Sequence, residues 1–586
     1  MSVSWSVALF GLAWLGWRKG LFAAGLHYLR ASWRRPDRFD VAVALALGFI
    51  LVLLLLVALI SPPNNNDSLQ YHMSRVMHWA QNQSLRHYPT AFEPQLFNPI
   101  FAELGILNLR LLWGNDRLAN LVQWSCLLGV LAGATALAKL LGAGRNAQWI
   151  TVAYAVSVPM GLLQATSTQN DMVTAFWFIS LLYFVALSSK RDLHLEELLG
   201  LAFSLGLGLA TKGPFYPMCV LPMLYFIVLQ FRNSKLGLVI GRGVSIVAVV
   251  LAVNLGYWGR NVLTYGGPLG SSSWVEAMTN SDLSLGSVAG SLVRDILLNF
   301  STPEDGLNAR LVGTVKSVFR SVDPRAESFE LMWGWNHEDL AGSPVHLLLA
   351  LAAMMVLIFF RKRIDWARIG PLILILAGSF VVFAAVVPSR VFDVRYQLPF
   401  FVAGGIFFAL AVQALDWRIL TAMAVPLLLV AALPWVLFNR TKPLIAMRDS
   451  TDPFTIPCLA GCTTGSILNE PQSSIIFGVW SQLREPYRQA VSDLRASGCR
   501  SIGFKLDSHD LEYLFWWLLD APQNGTRIEN IDTYPRLERY VDPSFKPCAI
   551  LCTICGNQTQ LHGLDLARDY NGTIQLYFGN EYDPNP

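Results

Sequence analysis

Long apolar runs recur along the chain, each close to the length of a bilayer core, with polar loops between them. A hydrocarbon layer needs roughly 20 mostly apolar residues per helix, with about 17 to 25 tolerated. Stretches of that kind fall at 41–60, 119–141, 146–163, 171–188, 214–231, 243–259, 344–360, 369–387, 398–415 and 418–438. A shorter stretch at 197–210 makes an eleventh span, broken or packed inside the bundle. The first run, 3–17, is short for a span and lacks the small-residue cleavage site of a signal peptide. It reads as a twelfth helix or as a segment lying on the surface.

The pattern therefore predicts an all-α polytopic membrane bundle of about eleven helices, twelve if 3–17 also crosses, with a small C-terminal α/β domain. Residues 1–40 hold the short apolar segment and a basic loop, and 41–438 form the bundle, interrupted by long loops at 61–118 and 260–343. In the tail, 439–586, SDLRASG at 492–498 reads as a helix end, Arg500–Leu506 as a strand and Asp510–Leu519 as a helix. The first long loop opens with Ser61-Pro62-Pro63-Asn64-Asn65-Asn66-Asp67, a helix stop followed by turn formers. Beyond it Leu69, Met73, Val76 and Met77 are spaced three and four apart, with His72, Arg75, His78 and Gln81 on or near the polar side. Such an amphipathic helix, directly after a span, is expected to lie along the membrane surface, and 100–113 looks like a second.

Composition agrees: of 586 residues 53% are hydrophobic and only 14% charged, against about 25% charged in soluble domains. The net charge of +4 is too small to suggest a nucleic-acid partner. Basic residues set the orientation. Arg18, Lys19, Arg30, Arg34, Arg35 and Arg38 make 18–38 cytoplasmic by the positive-inside rule. Threading from there puts Arg145, Lys190, Arg191, Arg232, Lys235, Arg242, Arg361, Lys362, Arg363, Arg368 and Arg418 on the same side. The two long loops and the tail are then extracytoplasmic. Six of the eight cysteines lie in that tail: Cys458, Cys462, Cys499, Cys548, Cys552 and Cys555. They read as a disulfide framework of open pairing, which requires an oxidising compartment. Zinc at Cys552-x-x-Cys555 is the alternative.

Against this frame several polar residues fall at the outer ends of spans: Asp67, Asp171, Lys212, Arg260 with Asn261, and Arg390, Asp393, Arg395 and Tyr396 in the last short loop. Positive charge should avoid that side. Singly, each has a plain use: a cation can snorkel to headgroups, Asp171 can cap its helix, and Asp67 can serve a turn. Together they predict a mixed-charge site at the outer face of the bundle. Cations there suit a lipid phosphate, and a carboxylate suits removal of a proton from an attacking hydroxyl. The combination fits transfer of a group from a lipid-linked phosphate to an alcohol, with Arg and Lys stabilising the leaving phosphate.

The stretch Asn66-Asp67-Ser68-x-x-Tyr71-His72-x-x-Arg75, continuing through Trp79, Gln81-Asn82 and Tyr88-Pro89-Thr90, resembles the first external loop of bacterial polyprenyl-phosphate-sugar-dependent glycosyltransferases. These form the GT-C class, which includes aminoarabinose transferases acting on lipid A and protein O-mannosyltransferases. Asn170-Asp171, Thr211-Lys212, Arg260-Asn261 with Tyr265-Gly266-Gly267-Pro268, and Arg395-Tyr396 extend the resemblance over about 40–438. It implies a GT-C-like fold in the bacterial inner membrane, a polyprenyl-phosphate-sugar donor, and a glycan, lipid or protein acceptor. It also implies inversion at the anomeric carbon, with Asp67 as acceptor-activating base and Asp171 shaping the site. Lys212, Arg260 and Arg395 would face the donor phosphate, with His72, Arg75, Asn261 and Tyr396 close by. Relatives often carry two adjacent acids at the first position. Here Ser68 follows Asp67, so Glu93 or Glu103 is expected to supply the second carboxylate. A metal-independent mechanism without cofactor is favoured. The competing readings are a transporter or flippase of a lipid-linked or anionic substrate, and a non-catalytic scaffold. A transporter would place its charges near the midplane and show repeated halves, and this sequence shows neither.

Overall fold

The computed structural model describes residues 36–446, 465–478 and 480–579. The apolar run 3–17, most of the basic cluster of 18–38, Cys458 and Cys462 lie outside the described residues. Helices occupy all eleven predicted positions. Eight are long and apolar enough to cross a membrane: Arg38–Ile60, Leu121–Leu140, Asp171–Ser188, Phe215–Asn233, Leu236–Tyr265, Trp366–Val386, Val391–Leu415 and Arg418–Leu437. The other three are shorter: Leu195–Leu209, Pro344–Phe359, and a pair, Arg145–Ser157 and Pro159–Gln164, broken at Val158. The break follows from Pro159, which pushes the residue before it out of the helical region; Val158 is extended, at φ −60° and ψ 117°.

Burial sorts the helices. Asp171–Ser188 and Leu398–Leu415 are apolar on nearly every face and form the centre, whereas Leu236–Tyr265 turns most of its surface outward. Small residues let the central helices approach, as expected where lipid supplies no hydrophobic drive between helices. A Cβ on Gly405 would meet the Tyr154 ring at 2.6 Å. The basic loops share one end of the bundle: Arg145 pairs with Asp40, Lys190 donates to the Leu140 carbonyl, Arg242 meets Asp192 at 3.2 Å, and Arg363 donates to the Ala414 carbonyl.

At the other end stands the C-terminal domain. Its six-stranded sheet has β1 (Ser501–Lys505), β2 (Arg527–Asn530), β3 (Ala549–Cys552), β4 (Gln560–Leu561), β5 (Leu564–Tyr570) and β6 (Ile574–Phe578), in the order β2-β1-β3-β6-β5-β4. β1 runs parallel to β2 and β3, and the remaining pairs are antiparallel. Helices Arg484–Ser497 and Tyr513–Leu519 complete this α/β unit. Disulfides join Cys499 to Cys548 and Cys552 to Cys555, so the zinc alternative at Cys552 and Cys555 is set aside. The first bridge closes a loop with a sequence separation of 49, worth up to about 4 kcal/mol in the chain-entropy account. Cys499→Ser is expected to lower the unfolding midpoint of this domain markedly, read by pulse proteolysis with and without reductant; an unchanged midpoint would count against it.

The first long loop departs from expectation. A π-helical turn, Ser68–His72, precedes helix Met73–Asn82, and the whole is clamped under the C-terminal domain rather than laid on lipid. Leu69, Met73, Val76 and Met77 share one core with Tyr513, Phe515, Trp516 and Ile528. The polar side is covered too. His78 bonds Glu512 at 2.7 Å, while Gln95 and Trp516 both donate to the same carboxylate at 2.9 Å. The Gln81 amide exchanges two 2.8 Å hydrogen bonds with the Ile528 backbone, extending the edge of β2. Helix Phe101–Trp113 appears where 100–113 was predicted, and only its last turn keeps an exposed apolar face.

Candidate active site

The site begins with how Asp67 is held. Asn65 accepts the Ser68 N–H at 2.8 Å, Asn64 donates to the carbonyls of Thr441 and Ile475, and Thr168 donates to the Ser68 hydroxyl at 2.6 Å. The asparagine run is thus fastened by three distant segments. Asp67 heads the π turn, an element often found at functional sites, and its carboxylate remains partly exposed.

Arg395 is the centre of the cluster. Its guanidinium donates to Asp67 at 2.5 Å and to Asp339, and its Nε lies 4.0 Å from Asp171. Asp171 in turn accepts from the Lys212 ammonium at 2.6 Å. It is the first residue of its helix and makes no cap, so its charge is left for these cations. The Lys212 ammonium also sits 4.4 Å from the centre of the Tyr396 ring. Burial pushes the Lys212 pKa below the ordinary lysine value, and Asp171 restores only part of that loss. Gln169 donates to Asp339 at 2.6 Å, and neighbouring Glu338 is locked by Thr441 and by Lys442 at 3.0 Å.

Two cavities meet here. The larger, about 600 Å³, is lined by Asp67, Asp339, His337 and Arg395, with Trp480 and His509 contributed by the C-terminal domain. The smaller, about 230 Å³, has Lys212 in a wall of Pro214, Pro217, Leu269 and Val387. Tyr71, Asn98, Trp274, Met278, Arg390 and Tyr396 line both. Arg390 pairs with Asp393 at 2.7 Å yet stays half exposed at this junction. A chamber bearing Asp67, Asp339 and Arg395 thus joins a smaller one with a cation buried in its wall, and the size suits a small ligand.

The structure brings together Asp67, Asp171, Lys212, Arg395 and Tyr396, and disperses other predicted residues. Glu103 is fully buried against His72 at 2.6 Å and Arg75 at 3.4 Å. Burial raises its pKa, but Arg75 and His72 outweigh that and hold it below the ordinary value. The Arg75 guanidinium is spent on the carbonyls of Pro94, Gln95, Asn98 and Pro99. Glu93 forms a two-pronged pair with Arg536 of the C-terminal domain, at 2.6 and 2.7 Å. The carboxylates that share Arg395 with Asp67 are Asp339 and, at 4.0 Å, Asp171, while Glu93 and Glu103 are paired elsewhere. Helix Leu236–Tyr265 runs past the predicted end at 259, so Arg260 and Asn261 lie within its last turns. Asn261 donates to the carbonyls of Phe97 and Pro268, and Arg260 lines neither cavity. Arg260 instead lies near His87, whose pKa burial, Arg260 and Arg75 push down to about 3. Asp339 escaped the sequence reading, although Trp333-Gly334-Trp335-Asn336-His337-Glu338-Asp339 packs aromatic and polar groups as a binding loop does. Among the described residues, no group of three His, Cys, Asp or Glu side chains is arranged to hold a metal ion.

No family model and no curated protein matches the sequence. The fold, however, is similar to the crystal structure of ArnT from Cupriavidus metallidurans bound to undecaprenyl phosphate. The TM-score is 0.52 at 12% identity, covering 91% of this chain and 97% of that one. The apo state of the same ArnT gives a TM-score of 0.50 over the same shares. The helical bundle with a small C-terminal α/β domain expected from the residues, and the GT-C-like fold that the resemblance implied, agree with this ArnT-like architecture.

Proposed function

We propose that this protein is an integral-membrane glycosyltransferase that moves a sugar from a polyprenyl-phosphate donor to a hydroxyl acceptor on the extracytoplasmic face. One observation carries the reading: Asp67, tethered to Arg395, opens on a cavity that continues into a second one holding Lys212. The similar ArnT fold has been solved with undecaprenyl phosphate bound, which supports a polyprenyl-phosphate partner here.

In this mechanism the donor's sugar occupies the larger cavity and its lipid end follows the smaller. Asp67 takes the proton of the acceptor hydroxyl as that oxygen attacks the anomeric carbon from the face opposite the phosphate. The new C–O bond forms as the bond to the phosphate oxygen breaks, inverting the centre. Lys212 and Arg390 take up the charge developing on the leaving phosphate. Arg395 positions Asp67, and Asp339 and Asp171 position Arg395. Because three cations, Arg395, Lys212 and Arg390, already sit at the carboxylates and the phosphate path, a metal-independent route is proposed, and chelator should leave turnover intact.

The deciding experiment incubates purified protein with a panel of polyprenyl-monophosphate sugars and envelope extract. Release of polyprenyl phosphate with one donor supports the transferase and names its sugar. Passage of lipid-linked substrate across proteoliposomes without donor consumption would favour a transporter. Lys212 adds a pH signature. Its lowered pKa means that the charged form, and hence donor binding, is complete at lower pH and lost as pH rises through a value below the usual lysine range. The donor KM should therefore climb on the alkaline side, by about tenfold or more for loss of one charge-assisted contact. Lys212→Arg, which stays charged, should flatten that limb; an identical limb in the variant would remove Lys212 from this role.

A further inference from the structure

A third cavity, about 550 Å³, shares no lining residue with the two described above. It lies between the end of span Arg38–Ile60, the loop after helix Phe101–Trp113, and helices Arg484–Ser497 and Tyr513–Leu519 of the C-terminal domain. Four arginines line it, Arg110, Arg117, Arg488 and Arg495, against two aspartates, Asp116 and Asp520. Arg495 donates to the Leu518 carbonyl. Arg110, Arg117 and Arg488 make no ion pair and no side-chain hydrogen bond among the described residues. Arg110 is the telling one, since it is 8% exposed and faces the cavity. A guanidinium so buried is normally paired. Asp116 makes no ion pair with it, and its carboxylate accepts instead from the Tyr513 hydroxyl at 2.7 Å.

The surroundings say which anion fits. Leu59 and Ile60 end a span in the cavity wall. Directly after Arg110 come Leu111, Leu112 and Trp113, the last two 67% and 57% exposed. Exposed aliphatic and indole side chains beside unpaired arginines mark the boundary between acyl chains and headgroups.

We propose that this pocket binds the phosphate of an anionic lipid headgroup, with Arg110, Arg117, Arg488 and Arg495 around its oxygens and Leu111, Leu112 and Trp113 among the acyl chains. The site stands apart from the transferase reading and needs no turnover to be seen.

The test titrates the full chain, in a zwitterionic detergent, with phosphatidylglycerol or phosphatidylcholine and counts bound lipid by native mass spectrometry. Phosphatidylglycerol should bind at least about tenfold more tightly. Arg117→Gln with Arg488→Gln, both exposed and remote from the packed core, should weaken it by about fivefold per arginine. The same pair of changes should leave phosphatidylcholine binding unaltered. Arg310→Gln with Arg320→Gln, exposed on and at the end of helix Asp305–Phe319, controls for diffuse attraction and should change nothing. Inorganic phosphate at millimolar concentration separates the sources: failure to displace the lipid assigns the site to a headgroup, and full displacement assigns it to free phosphate. Equal affinity for the two lipids, or equal weakening by the control pair, overturns the proposal.

Discussion

Asp67→Asn is expected to lower turnover by about a thousandfold, within the usual range for loss of a general base, while the protein folds and binds donor as before. The asparagine keeps the shape of the side chain and can still accept from Arg395, which at present meets Asp67 at 2.5 Å. Asp339 and Asp171 continue to hold that guanidinium, so neither cavity should collapse. What disappears is the basic oxygen that receives the acceptor's proton. The check is release of polyprenyl phosphate in the reconstituted assay, with donor affinity measured separately. Full turnover in this variant would remove Asp67 as base. Asp339→Asn should show a smaller defect, because Asp339 acts on the reaction only through Arg395.

Arg395→Met is expected to be the most destabilising single change at the site, costing about 3 to 5 kcal/mol. The guanidinium is buried and bridges Asp67 and Asp339, with Asp171 at 4.0 Å. Its removal takes the shared cation from three carboxylates and leaves Lys212 bonded to Asp171. The cost comes from stranded charge rather than from the lost bonds alone. A thermal midpoint well below that of Asp67→Asn, measured in the same lipid mixture, is the expected result. Arg395→Lys should recover less than half of the loss, since one compact ammonium cannot span both partners. Wild-type stability in Arg395→Met would mean that the cluster carries no structural load.

Most of the bundle was legible because lipid imposes a length on every span, and eleven apolar runs met it closely enough to be located. Asp67, Asp171, Lys212 and Arg395 were legible for a related reason: charge at that end of the spans has no plain explanation in bulk. The misread residues share a different cause. Glu93 looked free because its partner, Arg536, is 443 positions away. His72 and Arg75 were expected close to the donor because helical periodicity reveals a polar stripe but not what covers it. The cover is the loop's own Gln95, Asn98 and Glu103, beneath the C-terminal domain. Asp339 was hidden in a long loop without periodicity, where composition gives no hint of which side chain turns inward. The interfacial helix failed for the same reason, since its apolar stripe suits a protein core as well as a membrane.

The grip of the last domain on the first loop also sets a schedule for biosynthesis. Gln70, three residues past Asp67, is fastened to the Ser508 carbonyl, 438 positions later, and Gln81 to Ile528, 447 later. At roughly 5 to 20 residues per second, the ribosome needs roughly 20 to 90 s after making Gln70 to deliver its anchor. In the last part of that interval, once Leu437 has been made, the nascent chain owns the spans and the charged side chains but not the framework that aims them. A prematurely terminated product should insert and persist with its charged cluster unaimed, so that only complete copies carry a formed site.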